Sequence, residues 1–251
     1  MKPLLFLACI LAGLACGSVA SASQFVNGSF EDPATYFKVL YTGESIPGWT
    51  VLGGTIDLNG YGLWQPSNGE MSVDMVGTPA RGAIAQTLQF DTAGPHYLTF
   101  DLSRNPNINY ITASMGVWWK APGSDEFAGL GLFAFDKLNQ PADMMWQQMG
   151  TATFTAGPGP VTFVFEALSG GDGNDTASWG GAALDNVQLV AGASPYSPQL
   201  PPPFVLPDPL QGHYTVYDDV GPAGVPEPGT LILLLLSAPL FLVARSRSLG
   251  V

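Results

Sequence analysis

Charge is scarce in this sequence, and positive charge is the scarcer sign. Lysine and arginine number 8 against 20 aspartate and glutamate residues, which gives a formal net charge of -12. DNA and RNA binding needs a basic surface that displaces counterions from phosphates, so this composition excludes a nucleic-acid partner. Hydrophobic residues make up 46% of the chain, which excludes an intrinsically disordered protein.

Histidine and the short motifs of catalysis are also missing. His96 is the one histidine of the central region, so a serine or cysteine nucleophile has few options for its base. No Gly-x-Ser-x-Gly elbow, His-Glu-x-x-His motif or phosphate-binding loop occurs. Two carboxylates can hydrolyse a glycoside, but the sequence does not show which acidic residues lie close together. The pairs considered are Asp57 with Asp74 and Asp101 with Glu166. We therefore predict that the protein is not an enzyme, and a glycoside-active enzyme is the least favoured alternative.

Cysteine is absent after residue 16. Both cysteines, Cys9 and Cys16, lie in an N-terminal segment that we expect to be removed, so the remaining chain has no disulfide bond. Its stability must come from a hydrophobic core, with a bound metal ion as an additional source.

The first 22 residues have the three parts of a secretory signal peptide. Lys2 supplies a positive start, Leu4–Leu14 an apolar stretch, and Ala20-Ser21-Ala22 a small-residue cleavage site. A lipoprotein signal would instead use Cys16, but Gly13 stands where that signal needs a larger apolar residue. We predict an exported protein that is cleaved after residue 22.

Residues 225–251 form a second signal of three parts. Val225-Pro226-Glu227-Pro228 precedes the apolar run Leu231–Val243, and Arg245 and Arg247 follow it. A helix of these thirteen residues would be about 20 Å long, shorter than the roughly 30 Å hydrocarbon core of a bilayer. The arginines would stay on the cytoplasmic side. An ordinary short transmembrane anchor is one interpretation.

The order of these three parts resembles the PEP-CTERM sorting signal of Gram-negative bacteria. The resemblance implies that an exosortase recognises Pro226, Glu227 and Pro228 and removes the helix, which anchors the chain transiently in the inner membrane. It also implies a final location at the cell surface, the outer membrane or the extracellular matrix, in bacteria that make exopolysaccharide.

Residues 191–224 are rich in proline and separate the sorting signal from the central region. Proline favours extended polyproline II structure and cannot build the interior of a sheet. We therefore predict a semi-rigid linker. Its prolines are Pro195, Pro198, Pro201, Pro202, Pro203, Pro207, Pro209 and Pro222.

Residues 23–190 show the two-residue periodicity of β-strands. Leu98, Phe100 and Leu102, for example, alternate with polar residues, and glycine- and proline-rich turns separate at least eight such segments. This pattern predicts one all-β domain, an antiparallel β-sandwich of the jelly-roll type.

A series of motifs in this domain adds a second resemblance. The motifs are Asn27-Gly28-Ser29-Phe30-Glu31, Ile46-Pro47-Gly48-Trp49-Thr50-Val51, Gly69-Glu70-Met71-Ser72-Val73-Asp74-Met75, Tyr97-Leu98-Thr99-Phe100 and Leu184-Asp185-Asn186-Val187. In this order they resemble the choice-of-anchor C family of exported bacterial domains. Residues 125–146 fit this resemblance less well, and we predict that they are a loop insertion particular to this chain. The resemblance implies a galactose-binding-like jelly roll at a cell surface, with carbohydrate binding as its suspected role and no established catalysis.

A calcium site is the first candidate site. Strict alternation places Asp185 on the same side of the last strand as Val187 and Leu189, so its carboxylate would point to the interior and need a partner. A Ca²⁺ ion, with about six to eight oxygen ligands, is one such partner. The resemblance implies Glu31 and Asp185 as ligands, with Asn27 contributing a carbonyl. The alternative is that backbone amides donate to both carboxylates.

Exposed aromatic rings are the second candidate site, because sugar rings present C–H faces that stack on them. Tyr61 and Trp64 lie in a glycine-rich loop, and Trp118 lies on the side of its strand opposite Val117 and Trp119. The alternative is that the tryptophans are buried. We predict a non-catalytic module that binds polysaccharide or another glycan through Tyr61, Trp64 and Trp118. A structural matrix protein that contacts other proteins and binds no sugar is the alternative function.

Overall fold

The computed structural model describes residues 23–77, 80–107, 112–170 and 181–204. The predicted signal peptide and sorting signal, with Pro226, Glu227, Pro228, Arg245 and Arg247, lie outside these residues, as does most of the predicted linker. No helix in the described ranges is long and apolar enough to span a membrane.

The described chain folds into thirteen strands in two sheets. In chain order they are β1 Phe37–Tyr41, β2 Ser45–Ile46, β3 Trp49–Gly53, β4 Thr55–Gly60, β5 Met71–Asp74, β6 Ala83–Phe90, β7 Gly94–Arg104, β8 Ala113–Lys120, β9 Ala128–Phe135, β10 Gln147–Gly150, β11 Phe154–Ala156, β12 Gly159–Ala167 and β13 Ala182–Ala191. Sheet I has the order β1-β4-β5-β13-β7-β10, with β11 also paired to β7, and sheet II has the order β2-β3-β6-β12-β8-β9.

The predicted all-β jelly-roll sandwich is confirmed, and its strands pair antiparallel throughout the described ranges. The alternation that predicted it decides which side chains enter the core. On β12, Val161, Phe163 and Phe165 are buried between the sheets, while Thr162 and Glu166 point outward. The core therefore lies between two sheets that each contribute every second residue.

The segment before β1 joins the two sheets at one end of the sandwich. Phe25 stacks on the indole of Trp49 with a ring separation of 5.4 Å. Gln86 of sheet II accepts a hydrogen bond from the amide of Val26 at 2.7 Å. On the other side, the amide of Val187 in sheet I donates to the carbonyl of Gly28 at 2.8 Å. This segment covers the open end of the core.

Residues 192–204 form a strap on the domain surface, although the sequence predicted a linker from residue 191 onward. The ring of Tyr196 contacts that of Tyr97 on sheet I at 6.1 Å. The amide of Leu132 on β9 donates to the carbonyl of Gln199 at 2.6 Å. The strap therefore crosses from sheet I to the edge strand of sheet II, and its backbone pairs with an edge that would otherwise be open.

Strand β9 occupies residues 128–135 of the region that was predicted to be a loop insertion, so that prediction was wrong for these residues. Two glycines on β9 lie under the strap. The ring of Pro201 occupies the position that a side chain at Gly129 would need, and a side chain at Gly131 would collide with the ring of Phe133 and come within 3.0 Å of Pro198. The glycines weaken the strand signal in the sequence because they have no side chains to alternate. They are explained by the close approach of the proline segment.

The strap also buries Trp118, so the prediction that this ring is exposed was wrong. Trp118 does point outward from sheet II, but it is only 1% exposed. Its indole lies across Gly116, and its Nε1–H donates to the carbonyl of Pro202 at 3.0 Å. The ring of Phe204 covers it at 5.2 Å. Trp118 anchors the strap and cannot serve as an open platform for a sugar.

Replacing Trp118 by alanine should lower the free energy of unfolding by about 3–5 kcal/mol, the usual cost of removing a buried large aromatic side chain. Trp118→Phe keeps an aromatic ring but loses the donor to Pro202, and should cost about 1–3 kcal/mol. Urea denaturation of the full chain measures both. A Trp118→Ala variant as stable as the wild type would contradict the packing of the strap.

Candidate functional site

The outer face of sheet I bears a block of buried polar side chains. Cross-strand neighbours in a sheet share a face, and the neighbouring pairs here are Asp57 with Asp74, Asn59 with Ser72, and Asp101 with Asp185. All of them except Asp101 are buried. Buried polar groups are costly without hydrogen bonds, so the groups that cover this face determine whether the arrangement is stable.

Two cover loops, 61–70 and 136–146, lie over this face and hydrogen-bond to each other. Trp64 from the first and Met144 from the second pack on Ala183 of β13, forming a small second core outside the sandwich. Trp64 is 4% exposed, so the prediction that it forms an open sugar platform was wrong. Its indole holds the cover loops on the sheet.

A β-bulge places Asp185 on this outer face. The pairing of β13 with β7 shifts between Asp185 and Gln188, and Asn186 adopts a left-handed conformation with φ of 53°. Asparagine tolerates this conformation better than most residues. The extra residue leaves Val187 in the core but turns Asp185 away from it, opposite Asp101. The prediction that Asp185 points into the interior was therefore wrong.

Asp185 fastens the first cover loop to the sheet. Its Oδ2 accepts hydrogen bonds from the amides of Ser67 at 2.8 Å and Asn68 at 2.9 Å. Its Oδ1 accepts one from the amide of Asn186 at 2.6 Å. The Ser67 hydroxyl lies within hydrogen-bond distance of Asp185 at 3.0 Å and of Asp101 at 2.8 Å. The carboxylate thereby satisfies backbone groups that would otherwise be buried without partners.

Glu31 fastens the other end of the same loop. Its carboxylate accepts hydrogen bonds from the amides of Glu70 and Met71, each at 3.1 Å. Its oxygens also occupy the space that a side chain at Gly69 would need. The structure thus brings Glu31 and Asp185 to the two ends of one short segment, 67–71, as two separate anchors.

These contacts do not fit a calcium ion held by Glu31, Asp185 and Asn27. A calcium ion needs converging oxygen lone pairs, whereas N–H donors surround both carboxylates. The carbonyl of Asn27 already accepts hydrogen bonds from the amide of Phe30 at 3.0 Å and from Trp49 Nε1 at 2.9 Å. Within the described ranges, no group of three or more His, Cys, Asp or Glu side chains could hold a metal. The arrangement matches the alternative, in which backbone amides donate to both carboxylates.

Burial also changes the protonation of this face. It raises the pKa of Asp185 from 3.8 to about 7, against the hydrogen bonds from Asn68 and Ser67, which lower it. It raises the pKa of Asp74 well above 3.8, and the negative charge of the adjacent Asp57 raises it further. In each case the dominant cause is the loss of hydration of the charged form.

The structure settles which carboxylate pairs lie close together. Asp57 and Asp74 are direct cross-strand neighbours, but they are only 6% and 3% exposed. Asp101 and Glu166 lie on different sheets, whose outer faces are on opposite sides of the sandwich. His96 is buried against Phe90 at a ring separation of 5.0 Å. A substrate has no open access to Asp57, Asp74 or His96.

The open feature of this region is a groove beside the first cover loop. It has a volume of about 370 Å³, and its lining residues are Ala34, Thr35, Tyr36, Gly60, Tyr61, Gly62, Glu70 and Met71. Tyr36 is 65% exposed and Tyr61 is 72% exposed. The side chain of Tyr36 lies against Gly62, where a larger residue would displace it. The groove therefore presents two aromatic rings to solvent.

The sequence analysis proposed Tyr61 as a sugar-binding residue, but it did not identify Tyr36. Tyr61 lies between Gly60 and Gly62 in a glycine-rich loop, whereas Tyr36 belongs to no recognisable motif. Tyr36 reaches the groove because its carbonyl accepts a hydrogen bond from the amide of Gly60 at 3.0 Å. Glu70 reaches it because its carbonyl accepts one from the amide of Tyr61 at 2.8 Å. These bonds continue the pairing of β1 with β4 and of β4 with β5, which brings the segments together.

Comparisons with known proteins give a family and a set of similar folds. The family model described as "Protein of unknown function (DUF642)" matches residues 23–190. No curated protein matches the sequence. Similar solved structures include TmCBM61 in complex with beta-1,4-galactotriose, with 10% identity, coverage of 68% of this chain and 99% of that chain, and a TM-score of 0.42. Another is a CBM35 from Cellvibrio japonicus Abf62, with 13% identity, coverage of 62% and 94%, and a TM-score of 0.38. A third is the carbohydrate-binding module CBM6cm-2 from Cellvibrio mixtus lichenase 5A in complex with cellotriose, with 12% identity, coverage of 69% and 98%, and a TM-score of 0.34. At these scores the similarities identify no ligand for this chain.

The raised pKa of Asp185 predicts a pH-dependent stability. Between 3.8 and about 7 the folded chain retains a proton on Asp185 that the unfolded chain has lost, so stability falls as the pH rises through this window. The melting temperature of Asp185→Asn should fall less steeply over this window than that of the wild type. Asp91→Asn, at an exposed aspartate, is the control and should keep the wild-type slope. Parallel curves for wild type and Asp185→Asn would contradict the assignment.

Chelation provides the test for calcium. Because backbone N–H groups satisfy Glu31 and Asp185, we expect EDTA to leave the melting temperature of the purified chain unchanged. An ion bound only to the folded state would stabilise it, so its removal would lower the melting temperature. A decrease with EDTA that added CaCl₂ reverses would show a calcium site and contradict this interpretation.

Proposed function

The chain belongs to the DUF642 family of proteins of unknown function, and from this premise we propose that it is an exported, non-catalytic module that binds carbohydrate in the groove between Tyr36 and Tyr61. The observation that carries the proposal is the exposure of two tyrosine rings, 65% and 72%, at one open groove. Large aromatic side chains that stay exposed together commonly mark a binding surface.

The groove has the chemistry that sugars require. A pyranose ring offers C–H groups on its faces and hydroxyl groups at its rim. The phenol rings of Tyr36 and Tyr61 can stack on the faces, and each ring carries a hydroxyl group that can donate or accept. The carboxylate of Glu70, which is exposed, and the hydroxyl of Thr35 add polar partners at the edge of the groove.

The groove is built before any ligand arrives. Its two sides are joined by the hydrogen bonds of Gly60 with Tyr36 and of Tyr61 with Glu70, and Glu31 and Asp185 anchor the loop that carries Tyr61. A preorganised site loses less conformational entropy on binding. Weak stacking and hydrogen-bonding contacts can therefore give a measurable affinity.

Binding without hydrolysis is favoured by the position of the acidic side chains. Hydrolysis of a glycoside needs two carboxyl groups that flank the bond. The cross-strand acidic pairs on sheet I are Asp57 with Asp74 and Asp101 with Asp185, and both members of the first pair and Asp185 of the second are buried. Glu70 is the acidic residue that lines the groove.

The proposed location follows from the two terminal signals in the sequence. Residues 1–22 would direct export, and Pro226, Glu227 and Pro228 would be recognised by an exosortase after a transient stay in the inner membrane. In this proposal the domain is delivered to the surface or matrix of a Gram-negative bacterium. The resemblance of the sorting signal implies bacteria that make exopolysaccharide, and this is the ligand we propose.

The proposal predicts that the purified chain is retained on immobilised polysaccharide, including the matrix polysaccharide of the producing organism. Tyr36→Ala and Tyr61→Ala should each weaken binding about tenfold, as expected if a stacked ring contributes roughly 1.4 kcal/mol. Leu138→Ala, at a residue that is 65% exposed outside the groove, is the matched control and should bind normally. Affinity electrophoresis measures all four proteins.

Absence of retention on every polysaccharide would contradict carbohydrate binding. The structural matrix protein that contacts other proteins would then be favoured. Turnover of a retained polysaccharide into shorter products would contradict the non-catalytic part of the proposal, and loss of that turnover in Asp74→Asn would assign it to the buried pair.

A further inference from the structure

Strand β1 carries a row of exposed side chains that starts at the groove. Phe37, Val39 and Tyr41 are the cross-strand neighbours of Asn59, Asp57 and Thr55 on β4. They therefore lie on the outer face of sheet I. Phe37 is 47% exposed and Tyr41 is 51% exposed. An edge strand of a soluble domain has no structural need for two open aromatic rings on one side.

These rings are continuous with the groove. Tyr61, which lines it, comes directly after Gly60, the last residue of β4, and Tyr36, which also lines it, immediately precedes Phe37. The strongly exposed large apolar side chains of the described chain are Val26, Tyr36, Phe37, Tyr41, Tyr61, Leu138, Met145 and Leu200. All the aromatic residues in this set lie in the groove or on β1, and those elsewhere are aliphatic or methionine. The concentration of aromatic rings distinguishes this surface from ordinary exposed apolar residues.

We infer that the binding surface extends from the groove along β1 to Tyr41 and takes an internal stretch of an extended polysaccharide chain. This inference rests on the proposed carbohydrate-binding function and adds the class of ligand. Phe37 and Tyr41 lie exposed along an edge strand and not inside an enclosed pocket, which suits a chain that continues past the site. A pocket for a terminal sugar would enclose its ligand instead.

The length of the surface supports several sugar units. Residues in a strand are spaced by about 3.4 Å, so Phe37 and Tyr41 are roughly 14 Å apart along β1. One pyranose ring is much shorter than this distance. A ligand that touches Tyr61 in the groove and Tyr41 at the far end must therefore contribute several consecutive sugars in an extended conformation.

The backbone of β1 does not favour a protein strand as the occupant. An edge strand can pair with a strand from another chain through its open N–H and C=O groups. Here the amide of Tyr41 donates to Oε2 of Glu44 at 2.8 Å. This bond occupies a free-edge donor at the end of a strand that is only five residues long. The aromatic side chains are therefore accessible to a ligand, whereas the backbone at this end of the strand is not free to pair with another strand.

The test is the dependence of affinity on ligand length, measured by isothermal titration calorimetry on the full purified chain. The probes are β-1,4-linked glucan, xylan and galactan oligosaccharides and size fractions of any polysaccharide retained above, from disaccharide to octasaccharide. We expect the wild type to bind the octasaccharide at least tenfold more tightly than the disaccharide. In Tyr41→Ala the ratio of the two affinities should fall about tenfold, and in Tyr41→Phe, which keeps a ring, it should stay near the wild-type ratio. An unchanged melting temperature verifies the fold of each variant.

The outcomes separate this inference from the proposed function. Binding that Tyr61→Ala weakens but that is equal for disaccharide and octasaccharide would overturn the extended surface and leave the groove as a site for one or two sugars. A wild-type length dependence in Tyr41→Ala, with Leu138→Ala as control, would also overturn it. No binding of any oligosaccharide and no retention on polysaccharide would overturn the proposed function and the inference together.

Discussion

The desolvation of Asp185 is the constraint on which the outer face of sheet I depends. Asp185 lies in a central strand and is fully buried. Without hydrogen-bond donors, its burial would lower the stability of the fold by several kcal/mol. The amides of Ser67 and Asn68 supply them, which draws the first cover loop onto the sheet. Trp64 packs beneath that loop, and Tyr61 and Glu70 stand at its ends. Asp185 therefore holds one end of the loop that lines the groove, while Glu31 holds the other.

The exposed aromatic side chains lie at the edge of the domain, because other segments of the chain cover parts of the outer faces of both sheets. The cover loops close much of the outer face of sheet I, and the strap of residues 192–204 covers Trp118 on sheet II. A flat sheet face is the usual place for an extended aromatic platform, and here it is occupied by the protein's own chain. The rings that remain open lie where β1 and the β4–β5 connection meet.

Local periodicity predicted the sandwich well, and it predicted side-chain environment poorly where a single residue or a distant segment intervened. Alternation along β7 and β12 is a local property, because the core takes every second residue. The bulge at Asn186 breaks that alternation by one position, so the same rule placed Asp185 on the wrong side. Trp118 was assigned to the correct face, but the rule contains no information about residues 202–204, which bury it.

The sequence alone determined the class of the fold, the acidic character that excludes nucleic acid, and Tyr61 as a candidate, because these depend on composition and on neighbours within a few residues. The tertiary structure decided which carboxylates anchor a loop, which tryptophans are buried, and that Tyr36 stands beside Tyr61. Those outcomes depend on contacts between residues far apart in the sequence, such as Gly60 with Tyr36 and Ser67 with Asp185. The physical reason is that burial and hydrogen bonding depend on which residues are close in space. Strand pairing and its register set those neighbours, and a local sequence pattern does not specify them.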